Sequence, residues 1–152
     1  MKILVVCTGN TCRSPMAEMI MKEKLKHYKM KDVTVESAGL QVFAPEPMNE
    51  LAELALKSRK IPFGRHKSKQ ITYDLVRDAD YIITMTEAQK KALGSEYNVL
   101  SARDLIGEDI SDPYGCTLIE YKECAEMLDK LDIAIITKLV MEKKKDEEVK
   151  DD

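Results

Sequence analysis

The sequence lacks a basic excess. Lys and Arg number 24 against 27 Asp and Glu, a net charge of −3 with histidine neutral. No basic stripe interrupts that balance, which argues against nucleic acid or an anionic membrane as a partner. No apolar run approaches the length of a membrane span. The N-terminus has no charged segment leading to an apolar stretch and a cleavage site, so no signal peptide is expected. Internal repeats are absent. Cysteine is scarce: Cys7, Cys12, Cys116 and Cys124 are the four. Cys7 and Cys12 are spaced loosely enough to be a ligand pair, but no second compact pair completes a tetrahedral zinc set. Free thiols, no metal and no cofactor are therefore expected. The expectation is a cytoplasmic, monomeric protein.

What is present fits a single domain over residues 1–144, followed by a charged tail at 145–152 that is expected to fray. The chain has 152 residues, 44% of them hydrophobic, enough to bury a core without disulfides. Lys2–Val6 is a short apolar run of the kind that forms a central parallel strand. Ser14-Pro15 reads as a helix start, with Ser as N-cap and Pro at the first helical position. Ala17, Ile20, Met21, Leu25 and Tyr28 follow at helical spacing. Further strands are expected at Val33–Ser37, Tyr81–Thr84 and Tyr97–Leu100. Helices are expected from Asn49 to Arg59 with Leu51, Leu54 and Ala55 inward, near Thr72–Arg77, and over Thr86–Leu93 before Gly94. Residues 101–116 read as a long loop, and a last helix as running from Thr117 to about Lys143. Alternating strands and helices predict an α/β domain with a mostly parallel sheet, whose ligands bind beyond the carboxyl ends of the strands.

One stretch at such an end carries chemistry: Cys7-Thr8-Gly9-Asn10-Thr11-Cys12-Arg13-Ser14-Pro15, between the first strand and the first helix. Backbone N–H groups before a helix have no helical partners. With Gly9 free to take a positive φ, the loop is expected to curl into a nest for an anion such as phosphate. Arg13 closes the cradle, because its planar fork holds two phosphate oxygens at once. The same positive field favours a thiolate at Cys7. The chemistry implied is phosphoryl transfer through a covalent cysteinyl-phosphate. Asp112, in Asp112-Pro113-Tyr114, is the candidate proton donor to the leaving group and later the base for water. Tyr114 is a candidate wall of the substrate channel. Taken singly, Cys7 would be an inert buried thiol, Arg13 a surface charge and Asp112 a turn residue. The coincidence of all parts between one strand and one helix favours the functional reading.

The run CTGNTCRSPMAE at 7–18 resembles the signature of the low-molecular-weight protein tyrosine phosphatase family. The likeness extends along essentially the whole chain, through Glu36-Ser37-Ala38-Gly39, His66-Lys67-Ser68 and Asp112-Pro113-Tyr114. The resemblance implies a three-layer α/β/α fold with a four-stranded parallel sheet and a phosphate-binding loop between the first strand and the first helix. It implies that Cys7, Arg13 and Asp112 are catalytic and that Thr8–Ser14 bind phosphate. Asn10, Ser14, Ser37 and His66 match positions that hold the loop in shape. Cys12 matches a family cysteine that forms a reversible disulfide with the nucleophile. Phosphorylated proteins are the implied substrates. Cys116 and Cys124 look structural, and His27 looks like a surface residue with no role.

Thr11 bears on the choice of substrate. Tyrosine-directed members carry a larger aliphatic residue there, and CTGNTCRS resembles the protein-arginine-phosphatase branch. A threonine hydroxyl can bond a guanidinium or its leaving nitrogen, whereas isoleucine would leave guanidinium N–H groups unpaired. Asp112 can attract the guanidinium, and Tyr114 and Phe43 are candidates to flank its plane. A tyrosine phosphatase with the same mechanism is the alternative. Arsenate reduction would need a relay of mid-chain cysteines that the sequence does not have. A non-catalytic phosphoprotein-binding module would need neither nucleophile nor acid.

Overall fold

The structure is a computed structural model describing residues 1–151. Four strands, β1 (Lys2–Cys7), β2 (Thr34–Gly39), β3 (Tyr81–Thr84) and β4 (Val99–Ser101), form one sheet in the order β2-β1-β3-β4. Every pairing is parallel. β1 lies inside the sheet, which is why it reads as a continuous apolar run and not as an alternating one. Ile3, Val5 and Ile83 face one side of the sheet. There they meet α1 (Arg13–His27), α2 (Glu50–Ser58), α5 (Ala102–Ile106) and the long α6 (Leu118–Asp151). Leu4, Val6 and Ile82 face the other side and pack with α3 (Tyr73–Asp78) and α4 (Glu87–Leu93). The result is the three-layer α/β/α fold. The register pairs Cys7 with Gly39, so the carboxyl ends of β1 and β2 finish side by side.

Local caps explain most boundaries. Asn49 caps α2 by accepting from Leu51 N at 2.9 Å. Thr86 and Gln89 form a capping box at α4, and Gly94 ends it at φ 82°. Four expectations need correction. First, α1 begins at Arg13, so Ser14 is not its N-cap; the Ser14 hydroxyl is turned toward Cys7 instead. Second, Leu54 and Tyr28 are exposed, and α2 buries Ala52, Ala55 and Leu56. Third, the supposed loop at 101–116 contains α5, started by a Ser101/Asp104 capping box and ended by Gly107 in the left-handed conformation. Fourth, α6 does not stop near Lys143 but continues through Asp151. Lys138 and Glu142, one turn apart, pair at 3.4 Å, and such pairs support a solvated helix. Of the tail expected to fray, only Asp152 lies outside the described residues.

Candidate active site

β1 delivers Cys7, 3% exposed, to the sheet edge, and the chain then turns through residues 8–12 into α1. Two groups approach the Cys7 sulfur: Asn10 N–H donates to Sγ at 3.3 Å, and Ser14 Oγ lies 2.9 Å away. Each can bring a hydrogen to negative charge on sulfur. The left-handed residue of the turn is Asn10, at φ 57°, and not Gly9 as expected. Asparagine tolerates that conformation, and here every polar atom of its side chain is used. Nδ2 donates to Ser14 Oγ at 2.8 Å and to Ser37 Oγ at 3.0 Å. Oδ1 accepts from Lys69 N at 3.1 Å. The Asn10 carbonyl accepts from His66 Nε2 at 2.7 Å. Ser37 in turn donates to the buried Glu18 at 2.6 Å, and Glu18 accepts from Lys22 at 2.6 Å. Ser37 and His66 thus both bond Asn10 from outside the loop.

Residues given no part in the loop by the sequence complete the support. Gly39 comes against the loop so closely that a Cβ there would stand 2.6 Å from Val42 Cγ2 and 2.8 Å from the Thr8 carbonyl. Just beyond it, Leu40 N donates to Cys7 O and Gln41 N to Thr8 O, both at 3.0 Å. Asn49 N donates to Thr11 O at 3.0 Å. From the opposite layer, Gln89 Nε2 donates to Thr8 Oγ1 at 3.2 Å. Gly39 lies in the quoted Ser-Ala-Gly segment. Glu18 closes the quoted 7–18 run but was given no role there, and Gln89 had no motif that marked it.

Arg13 is 5% exposed, and its Nη1 donates to Ile110 O at 2.8 Å. Its Nη2 lies 3.7 Å from Asp112 Oδ2. The acid loop is held by Ile110 N, which donates to Met85 O at 2.9 Å, and by Tyr114 N, which donates to Asp112 Oδ1 at 3.1 Å. Asp112 keeps an exposed carboxylate edge. Residues 7–13, Glu46, Asp112 and Tyr114 line one cleft of about 270 Å³. Phe43 does not line it and is 99% exposed, so the structure does not bring it to the site. Cys12 is buried behind the loop with Sγ 3.3 Å from Tyr121 OH, and burial pushes its thiol up from the ordinary value. Cys124 is buried in the core, its thiol pushed up to about 12 by desolvation, while Cys116 is exposed and so has no core-packing role.

The arrangement brings a thiol, a guanidinium and a carboxyl to one cleft. The sequence profile described as low molecular weight phosphotyrosine protein phosphatase matches residues 2–146. The chain belongs to this family. The low-molecular-weight phosphatase described here is 34% identical to a probable low molecular weight protein-tyrosine-phosphatase, EpsP, of Ralstonia nicotianae, over 84% of this chain and 88% of that one. It is 32% identical to a protein-arginine-phosphatase of Bacillus subtilis, over 86% of this chain and 91% of that one. A solved structure of a YwlE arginine phosphatase mutant, its active-site serine phosphorylated, superposes with a TM-score of 0.83 at 31% identity. That match covers 91% of this chain and 95% of the other. This phosphatase is a hydrolase with a cysteine-based mechanism, and phosphorylated proteins are its substrates.

Proposed function

We propose that this phosphatase removes phosphate from phosphoarginine in proteins, through a cysteinyl-phosphate on Cys7. The phosphoryl group enters the cleft, and Arg13 holds its oxygens. Cys7 Sγ attacks phosphorus while the phosphorus–nitrogen bond breaks, and Asp112 gives its proton to the leaving guanidinium nitrogen. Water then attacks the phosphorus, Asp112 takes the proton from that water, and the sulfur–phosphorus bond breaks. The Ser14 hydroxyl, 2.9 Å from Sγ, stabilises the departing thiolate. A phosphorylated active-site serine in a cysteine-to-serine relative supports the covalent step.

The observation that carries the arginine reading is Thr11 in the cleft wall. Its Oγ1 has one hydrogen-bonding contact among the described residues, a long one of 3.9 Å to Cys12 Sγ, so the hydroxyl is available to a guanidinium. The similarity to a protein-arginine-phosphatase agrees with that reading. Tyr114, the one aromatic lining the cleft, favours the second reading, a tyrosine phosphatase with the same mechanism. Turnover of a phosphoarginine peptide and of the matched phosphotyrosine peptide separates them: the proposal expects the higher kcat/KM on phosphoarginine, and the opposite order rejects it.

The enzyme proposed is cytoplasmic and monomeric, works without metal or cofactor, and engages neither nucleic acid nor membrane, on the charge and sequence grounds given above. Among the described residues no helix is long and apolar enough to cross a membrane. A disulfide between Cys7 and Cys12 is proposed as a reversible shelter for the nucleophile.

A further inference from the structure

Glu46 lines the same cleft as Cys7, Arg13 and Asp112, and the mechanism above gives it no task. Its main chain is fixed. Glu46 N donates to Ser68 Oγ at 2.8 Å, and Glu46 O accepts from Ser68 N at 2.8 Å. Ser68 is buried and lies between His66 and Lys69, which with Ser37 bond Asn10 from outside the loop. One short segment therefore fixes both the phosphate loop and Glu46. Pro45 and Pro47 flank it, each with its φ locked by the ring. The Glu46 carboxylate makes no ion pair among the described residues, although Arg65 and Lys67 border the neighbouring groove that Glu46 also lines.

The charged side chains of the cleft are Arg13, Glu46 and Asp112. Arg13 is the phosphate ligand. Asp112 is the proton donor, which leaves the Glu46 carboxylate for whatever the phosphate is attached to. A phenol ring offers it nothing to pair with. A guanidinium offers a cation with a fork of donors, which matches carboxylate oxygens. We propose that Glu46 is a specificity residue: its carboxylate holds a guanidinium of the substrate next to the bound phosphoryl group. This rests on the reading of the cleft as the phosphatase site. The guanidinium is either that of phosphoarginine itself or that of an arginine beside a phosphotyrosine; the recognition chemistry is the same.

The test compares the parent with Glu46→Gln and Glu46→Lys on three substrates. These are a phosphoarginine peptide, a phosphotyrosine peptide with arginine beside the phosphorylated residue, and that peptide with alanine in place of the arginine. Where a peptide is bound but not turned over, its Ki against p-nitrophenyl phosphate hydrolysis replaces kcat/KM. Relative to the alanine peptide, Glu46→Gln is expected to weaken the phosphoarginine peptide about threefold to tenfold, mainly through KM, with a larger loss for Glu46→Lys. The loss should shrink in high salt, which screens a partly exposed pair. A loss confined to the arginine-flanked phosphotyrosine peptide keeps Glu46 as the guanidinium reader and rejects the phosphoarginine proposal instead. Unchanged ratios among the three peptides in both variants overturn the inference, whichever substrate the parent prefers. Thermal unfolding of both variants confirms that they fold.

Discussion

Ser14 Oγ lies 2.9 Å from Cys7 Sγ and accepts from Asn10 Nδ2 at 2.8 Å. Because Asn10 supplies the proton of that second bond, the single Ser14 proton is left for the sulfur. A donor at that position matters most when sulfur leaves phosphorus as a thiolate. Ser14→Ala is therefore expected to slow breakdown of the phosphoenzyme by roughly 10²-fold, the scale seen when one donor to developing negative charge is removed. Rapid-mixing kinetics on p-nitrophenyl phosphate should show a burst of phenolate followed by a slow steady state. A variant without a burst, slowed equally in both steps, would place Ser14 in loop structure alone.

Gly39 is required by space and not by an unusual φ. Its missing Cβ would stand 2.6 Å from Val42 Cγ2 and 2.8 Å from Thr8 O, and the second neighbour is backbone that cannot rotate away. Gly39→Ala should destabilise the protein by about 1–3 kcal/mol, as overpacking does. It should also displace the turn that aims Asn10 N–H at Cys7, so kcat should fall alongside the denaturation midpoint. Wild-type stability and rate together would show that the β2 end does not constrain the loop.

The Cys12 thiol, pushed up by burial, is a poor nucleophile at neutral pH. Under mild peroxide the step is Cys7 sulfenic acid plus Cys12 thiol giving the disulfide and water. Its rate should rise as pH increases toward and beyond the ordinary thiol range, because the Cys12 thiolate is the attacking form. Mass spectrometry of the 7–12 linkage against pH measures this. Over-oxidation of Cys7 with no linkage at any pH would remove the shelter role.

Asp132, on α6, is fully buried, and neither carboxylate oxygen has a hydrogen-bond partner among the described residues. Burial holds its carboxyl well above the usual range; Lys24 opposes this weakly, and Asp129, to which Lys24 is bound at 2.6 Å, adds to it. The folded value is raised, so the stability it contributes is fully present below the unfolded value, about 3.9. It is lost as pH rises through the folded value. At neutral pH the acid is thus a net cost. Asp132→Asn should stabilise the protein by about 1–3 kcal/mol, with the gain over the parent growing as pH rises from about 4 to 8. A gain independent of pH would contradict the burial account.

Much of the molecule was legible in the sequence, and the reasons are local. The apolar run at Ile3–Val6 suits a strand covered on both faces, Asn49 and Thr86 cap helices with their side chains, and Gly94 ends one through its positive-φ backbone. Cys7, Arg13 and Asp112 stood out because their residue types have one joint use at that spacing. Errors at the phosphate loop arose where contacts made by the folded loop overrode a local preference, while α5 was missed although its Ser101/Asp104 capping box is local. Ser14 would cap a helix in isolation, but here its oxygen belongs to Cys7 and Asn10. Gly9 has the freer backbone, yet Asn10 takes the positive φ because three hydrogen bonds with distant segments, and a fourth with Ser14, reward it there. Phe43 is near the site in sequence pattern only. Glu46 and Gln89 come from segments with no motif, and the sheet and the 66–69 segment bring them to the loop.

The central claim is that Thr11 reads a guanidinium, and the most direct test is the ratio of kcat/KM on phosphoarginine to that on phosphotyrosine peptides, measured for the parent and for Thr11→Ile. The account predicts a ratio above one in the parent and its inversion in Thr11→Ile, with Cys7 chemistry intact in both. A parent that prefers phosphotyrosine, or a ratio that Thr11→Ile leaves unmoved, would contradict it.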